Sequence, residues 1–219
     1  MEQFIFRGAL SGREEFFYPD MPLKPLPKSL RLAMPCNGQP GVQLLLETNA
    51  VQLCASLESN AFTPEFFCMK AVPVEYNTGD GSEQGGAMVL EQRPAHKPPY
   101  ATRLAPFDVY DCLKPAADGV IESQNGRAAL YMCLYPWPGL EAGTYTAVLR
   151  LGSYCCQLTI QVYDIKIPQD TFPVTNWFSL DAISRCHGLQ KETPAFYEMV
   201  RRYARTMRRA HQTMFYIEL

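Results

Sequence analysis

From about residue 28 to residue 165 apolar positions recur with a period of two, in short runs broken by Pro, Gly, Asn and Asp. "VQLLLE" at 42–47 follows the turn cluster "PCNGQPG", and "VQLCASL" at 51–57 sets Val51, Leu53, Ala55 and Leu57 against polar neighbours. An apolar side chain at every second residue marks a half-buried strand. The clearest pair is "TYTAVLRL", "GS", "YCCQLTIQVYD". Tyr145, Ala147, Leu149 and Leu151 share one face, as do Tyr154, Cys156, Leu158, Ile160 and Val162. Gly152-Ser153 between them suits a two-residue type II′ hairpin. The alternation sets Cys155 and Cys156 on opposite sides of the sheet, which argues against a vicinal disulfide. Several such strands with polar outer faces and no intervening helices predict an antiparallel β-sandwich.

After "IKIPQDTFP" the periodicity changes. Pro168 and Pro173 bracket a linker at 168–173, between a sandwich domain at 1–167 and a final segment at 174–219. That segment reads as a strand ("VTNWFSL"), a loop at 181–192 ("DAISRCHGLQKE"), a helix at 194–211 and a second strand ("MFYIEL"). Thr193 is placed to cap the helix, and Pro194 occupies its first position, where a missing N–H is harmless. Phe196, Met199 or Val200, Tyr203, Met207 and Ala210 form one apolar stripe, and Arg201, Arg202, Arg205, Arg208 and Arg209 take the rest. Such a helix runs ~27 Å, enough to return antiparallel to one strand and start a parallel neighbour. A lone βαβ unit is not a stable object, because a parallel strand buried on both faces needs neighbours. Further strands are therefore expected beyond Leu219.

A formal net charge of -2 gives no general attraction to nucleic acid or to a membrane surface. With no basic excess elsewhere, the arginine face reads as the solvated outer side of a helix packed on a sheet. No segment approaches the ~18 apolar residues that span a bilayer. The start, "MEQFIFRGALSGREEFF", lacks the apolar run of ~7–15 residues of a signal peptide. A cytoplasmic protein is expected, or a secreted one whose leader has been removed. The eight cysteines, at 36, 54, 68, 112, 133, 155, 156 and 186, show no C-x-x-C spacing, so no metal site is expected and they read as free thiols within apolar strands. "YNTGDGSEQGG" at 76–86 misses both nucleotide fingerprints and reads as a surface loop, and His96 in "PAHKPPY" as a solvated side chain. No cofactor is expected.

"SLRLAMPCNGQPGVQLLLETN", "YPWPGLEAGTYTAVLRL", "LTIQVYDIKIPQ" and "FPVTNWFSL" together resemble glycoside hydrolase family 123 and the closely similar domain of unknown function family 4091, over nearly the whole chain. The resemblance implies an N-terminal β-sandwich joined to a (β/α)8 barrel. It implies a glycosidase site in which an adjacent Asp-Glu pair works with the substrate's own 2-acetamido group as nucleophile. Residues 174–219 would then be strand 1, helix 1 and strand 2 of that barrel. A substrate-assisted hexosaminidase needs one carboxylate to orient the acetamido group and a second to protonate the leaving oxygen, a variant of the paired-carboxylate scheme. No adjacent Asp-Glu occurs in this chain, so no catalytic residue is assigned within it, the pair is expected beyond Leu219, and the chain alone is expected to be inactive.

Barrel active sites gather at the C-terminal ends of the strands. The loop at 181–192 is longer than the usual ~2–6 residues. Its Asp181, Arg185, Cys186 and His187 read equally as sugar contacts in the assembled enzyme or as loop-packing groups. Glu218, near the end of strand 2, is the other substrate-binding candidate. Trp137 in "YPWPG" reads as a cap on the sandwich core in preference to a sugar-stacking ring. The expected partner is carbohydrate, with self-association through the uncovered barrel end. The alternative function is a stand-alone carbohydrate-binding or protein-interaction module, which aromatics lined up on one exposed sheet face would favour.

Overall fold

The structure, a computed structural model, describes residues 5–13, 15–78, 89–90, 93–168, 174, 179–210 and 212–213. The chain divides into two compact units, Met1–Lys166 and Ile167–Leu219. Among its described residues the first carries thirteen strands: β1 (Arg7–Ser11), β2 (Lys24–Pro25), β3 (Ser29–Pro35), β4 (Gly41–Glu47), β5 (Gln52–Ser59), β6 (Phe62–Val74), β7 (Asn77–Thr78), β8 (Val89–Leu90), β9 (Phe107–Pro115), β10 (Val120–Gln124), β11 (Arg127–Pro136), β12 (Gly143–Leu151) and β13 (Tyr154–Tyr163). Strands thus begin at Arg7, well before residue 28. Part of the glycine-rich stretch, at 79–86, falls outside the described residues.

Eleven strands form one mixed sheet in the order β2-β1-β4-β11-β10-β5-β12-β13-β3, with β6 also on β11 and β9 on β6; β7 and β8 pair separately. The pairing is mainly antiparallel, as expected, with one parallel pair: β13 runs parallel to β3, from Gln157 beside Ser29 to Tyr163 beside Pro35. Continuity through β10 makes this one curled sheet. Ser123 and Gln124 pair with β11, while Val120, Ile121 and Glu122 pair with β5. Gly119, buried and at φ 70, brings the chain into that corner. At the corner Glu122 accepts hydrogen bonds from Lys70 Nζ at 2.6 Å and Lys114 Nζ at 3.2 Å, and these, Lys70 first, hold its carboxyl below the usual glutamate range.

The curl folds the sheet around its own core. Val42, Leu44 and Leu46 of β4, Leu130, Met132 and Leu134 of β11, Leu149 and Leu151 of β12, and Leu158 and Ile160 of β13 share one buried cluster. In β4, Val42 through Leu46 are all buried, because the strand is covered on both faces. Leu45 points away from the main core into a second cluster with Phe17, Met69, Tyr110 and Ala129. The segment carrying Phe17 is pinned there. Gln43 Nε2 donates to the Arg13 and Glu15 carbonyls at 3.1 and 3.0 Å, and Tyr110 N–H donates to the Phe17 carbonyl at 2.9 Å.

The β12–β13 hairpin has the expected register, with Leu151 opposite Tyr154 and Leu149 opposite Cys156. Gly152 has φ 57 and Ser153 stays out of positive φ, the pattern of a type II′ turn. Cys155 is exposed and Cys156 buried, on opposite faces. Of the eight thiols only Cys68 and Cys156 are buried, so most are not core groups as expected from their strands. Burial pushes the Cys156 thiol up. Tyr154, also raised by burial, donates its hydroxyl to the Pro27 carbonyl at 2.6 Å and packs edge-on to Phe6. Tyr154→Phe is expected to lower the unfolding free energy by about 1 kcal/mol in urea denaturation, the worth of a single neutral hydrogen bond.

In the second unit the helix expected at 194–211 is α2, Pro194–Arg209, capped by Thr193, whose Oγ1 accepts from Phe196 N–H at 3.3 Å. Phe196 is buried, while Tyr203 and the arginines are exposed. The expected loop at 181–192 is instead largely helical: α1 spans Leu180–His187. Ser179 caps its start by accepting from Ala182 N–H, Asp181 lies in the first turn, and Gly188 ends it at φ 60. Val174 and Thr213 are joined by two hydrogen bonds, each 3.0 Å. The expected strands at 174–180 and 214–219 otherwise lie outside the described residues, except that Ser179 caps α1 and Leu180 opens it.

Candidate functional site

Among the described residues, polar groups stand open to a ligand on the surface of one helix and in a cleft of the β-rich unit. The first is the surface of α1. Asp181 and Arg185 lie four residues apart and are exposed. Asp181 forms an ion pair with Lys191, beyond the helix end. His187 Nε2 lies 3.0 Å from the Tyr203 hydroxyl of α2, with the two rings edge to face. Cys186 is exposed beside it. The fold therefore brings His187 to Tyr203 and Asp181 to Lys191, in contacts that tie α1 to α2 and to the connection between them. Glu218 lies outside the described residues.

Three of the five arginines of α2 gather around one acid. Glu198 has Arg201 at 3.5 Å, Arg202 at 3.8 Å and Arg205 at 3.6 Å, all exposed. These side chains lie on a solvated face of the helix. His96 is exposed, as expected.

The second place is a cleft of about 810 Å³ in the β-rich unit, at the β11–β12 connection. Trp137, Asn37, Gln39, Glu141, Asp164 and Lys166 line it. Trp137 is 48% exposed, so it does not cap the core as its place between two prolines suggests. Its ring is nevertheless held. Indole Nε1 donates to Thr63 Oγ1 at 3.1 Å, and the Trp137 backbone N–H donates to the Ala61 carbonyl at 2.9 Å. The connection is fixed from its far side by Tyr145, whose hydroxyl donates to the Glu141 carbonyl at 3.0 Å while its ring packs edge-on to Phe62. Cys36 N–H donates to the Ile165 carbonyl at 2.8 Å, which ties the Asn37 side of the cleft to the Asp164 side. Chemically the arrangement offers a flat apolar ring, two amides, two carboxylates and an ammonium, a binding surface with both donors and acceptors.

Among the described residues no group of three or more His, Cys, Asp and Glu side chains could hold a metal ion, and no helix is long and apolar enough to cross a membrane. No protein-family model matches the chain, and no curated relative matches it. Among solved structures it is similar to a family 123 glycoside hydrolase from Clostridium perfringens, described for its hydrolysis of glycolipid glycans, with a TM-score of 0.66 at 10% identity over 97% of this chain. Its fold resembles that of a family 123 glycoside hydrolase. The chain spans 37% of that enzyme's length. This likeness supports the family 123 part of the resemblance and carries no assignment to domain of unknown function family 4091.

Of the residues in the cleft, the sequence singles out only Trp137. What "YPWPG" signals is stiffness and not direction, since a tryptophan between two prolines at a strand end is stiff whichever way it points.

Proposed function

We propose that this chain is the supporting β-rich part and barrel start of a glycosidase-like protein acting on carbohydrate. The observation that carries the reading is the likeness of 97% of the chain to a family 123 glycoside hydrolase at a TM-score of 0.66. The backbone hydrogen bond from Thr213 N–H to the Val174 carbonyl, at 3.0 Å, supports this reading, in which the two residues lie at the starts of the first and second barrel strands. In this proposal residues 1–167 form the supporting sandwich, 168–173 the linker and 174–219 the first barrel elements. The activity is a substrate-assisted β-N-acetylhexosaminidase, with Asp181, Arg185, His187 and Glu218 contacting sugar at the barrel rim.

Such chemistry needs paired carboxylates poised on either side of the glycosidic bond. The test has two arms. The reading frame is followed past Leu219, where an adjacent Asp-Glu pair on a later strand is expected; a stop codon directly after Leu219 sinks the proposal. The purified 219-residue chain is then assayed with a chromogenic N-acetylhexosaminide. No turnover is expected from it alone, and turnover abolished by substituting one of its own acids would place catalysis inside the chain instead.

A further inference from the structure

We infer that the cleft at the β11–β12 connection is a binding site for neutral glycans, with Trp137 as its stacking platform. The inference rests on the geometry of the β-rich unit and stands whether or not a catalytic barrel accompanies it.

A tryptophan residue left 48% exposed keeps apolar surface in water, and a free ring of this kind normally gains rotamer freedom in exchange. Trp137 does not. Its Nε1 is bonded to Thr63 and its backbone to Ala61, and prolines flank it on both sides. A ring fixed in the open is preorganised, so a ligand that stacks on it loses little further entropy on binding. The volume, about 810 Å³, falls in the ~300–1,000 Å³ range of small-ligand sites.

The polar rim chooses between the ligand classes that stack on an indole. A sugar presents apolar C–H groups on one face of its ring and hydroxyls around the edge, each hydroxyl both donor and acceptor. Glu141 and Asp164 accept only, Lys166 donates only, and the Asn37 and Gln39 amides do both. Hydroxyls satisfy all of these at once. A polyproline segment also docks on aromatic grooves, but it has almost no donors and would leave the two carboxylates desolvated without partners. Two carboxylates against one ammonium leave the rim net negative, which disfavours uronic-acid or sulfated glycans.

The test uses the whole chain. It has two tryptophans, so Trp177→Phe leaves Trp137 as the single indole reporter. This variant is titrated with cellotetraose, chitotetraose, mannotetraose, tetragalacturonic acid and a proline-rich decapeptide, following indole emission. A saturable change with at least one neutral tetrasaccharide, and a weaker one with tetragalacturonic acid, is expected. In calorimetry on the unmodified chain, Trp137→Ala should weaken that affinity about tenfold or more, as loss of an aromatic anchor does, with an unchanged melting temperature. Should Trp137→Ala fail to fold, Glu141→Gln serves in its place. It keeps the side chain's size and one acceptor oxygen, replaces the other with an N–H donor, removes one negative charge, and should narrow the gap between neutral and acidic sugars. No saturable response to any neutral sugar overturns the inference. So does a response to the peptide alone, or neutral-sugar binding that Trp137→Ala leaves intact. None of these readouts depends on hydrolysis, so their failure is distinct from failure of the glycosidase proposal.

Discussion

Gly119→Ala is expected to lower the unfolding free energy by about 3 kcal/mol, measured by urea denaturation. Two separate penalties act there. The residue sits at φ 70, where an L side chain is strained, and an added Cβ would lie 2.3 Å from the carbonyl oxygen of Ala55. That oxygen is backbone of β5 and cannot rotate away. Relief requires the chain to lift off β5 just where Val120 begins to pair with Cys54, at the corner that joins the two halves of the sheet. Gly139→Ala separates the penalties. Gly139 is at φ 80, yet nothing lies within 4 Å of an added Cβ, so only backbone strain of about 1 kcal/mol is expected. Equal losses for the two variants would mean that the approach of Gly119 to Ala55 yields without disturbing the corner.

Leu44→Ala and Leu45→Ala should each cost about 3 kcal/mol, although the two are neighbours on one strand. Adjacent strand residues face opposite sides of a sheet, so on an ordinary half-exposed strand only one of the two substitutions is expensive. Here both side chains have 0% exposure, Leu44 in the main core and Leu45 in the cluster with Phe17 and Tyr110. Denaturation curves with equal slopes and similarly displaced midpoints would check this. If Leu45→Ala changes stability by less than about 0.5 kcal/mol, as a solvent-facing position does, the segment around Phe17 does not cover β4 in solution.

The elements that were legible in the sequence are those whose cause is local. The β12–β13 hairpin follows from alternation over nine residues of β12 and a Gly-Ser turn, and α2 follows from Thr193, Pro194 and an apolar stripe. The helix α1 was equally local, with Ser179 before it and Gly188 after it, but the length of the connection favours a loop on sequence grounds. Asn125-Gly126 is a similar case. Both residues have positive φ, at 52 and 75, as a type I′ hairpin between β10 and β11 demands, and the dipeptide is a strong turn signal. What no local pattern could give is the sharing of β10 between β5 and β11, or the parallel placement of β13 on β3, since both depend on partners far away in the chain. The outward turn of Trp137 has the same origin. Its direction is set by Thr63 and Ala61, 74 and 76 positions upstream, not by its neighbours.

The parallel seam between β3 and β13 also fixes an order of events at the ribosome. Tyr154 reaches back 127 residues to Pro27, at the edge where that seam begins. At synthesis rates of ~5–20 residues per second, β3 waits roughly 6–25 s for the strand that covers it. Throughout that interval the emerging chain carries an unpaired edge with Leu30 and Leu32 along it, a template for pairing with another nascent copy. The first unit therefore cannot close from its N-terminus as it is made. Its yield in cells should be sensitive to translation speed and to chaperones that occupy β3 until its last strand arrives.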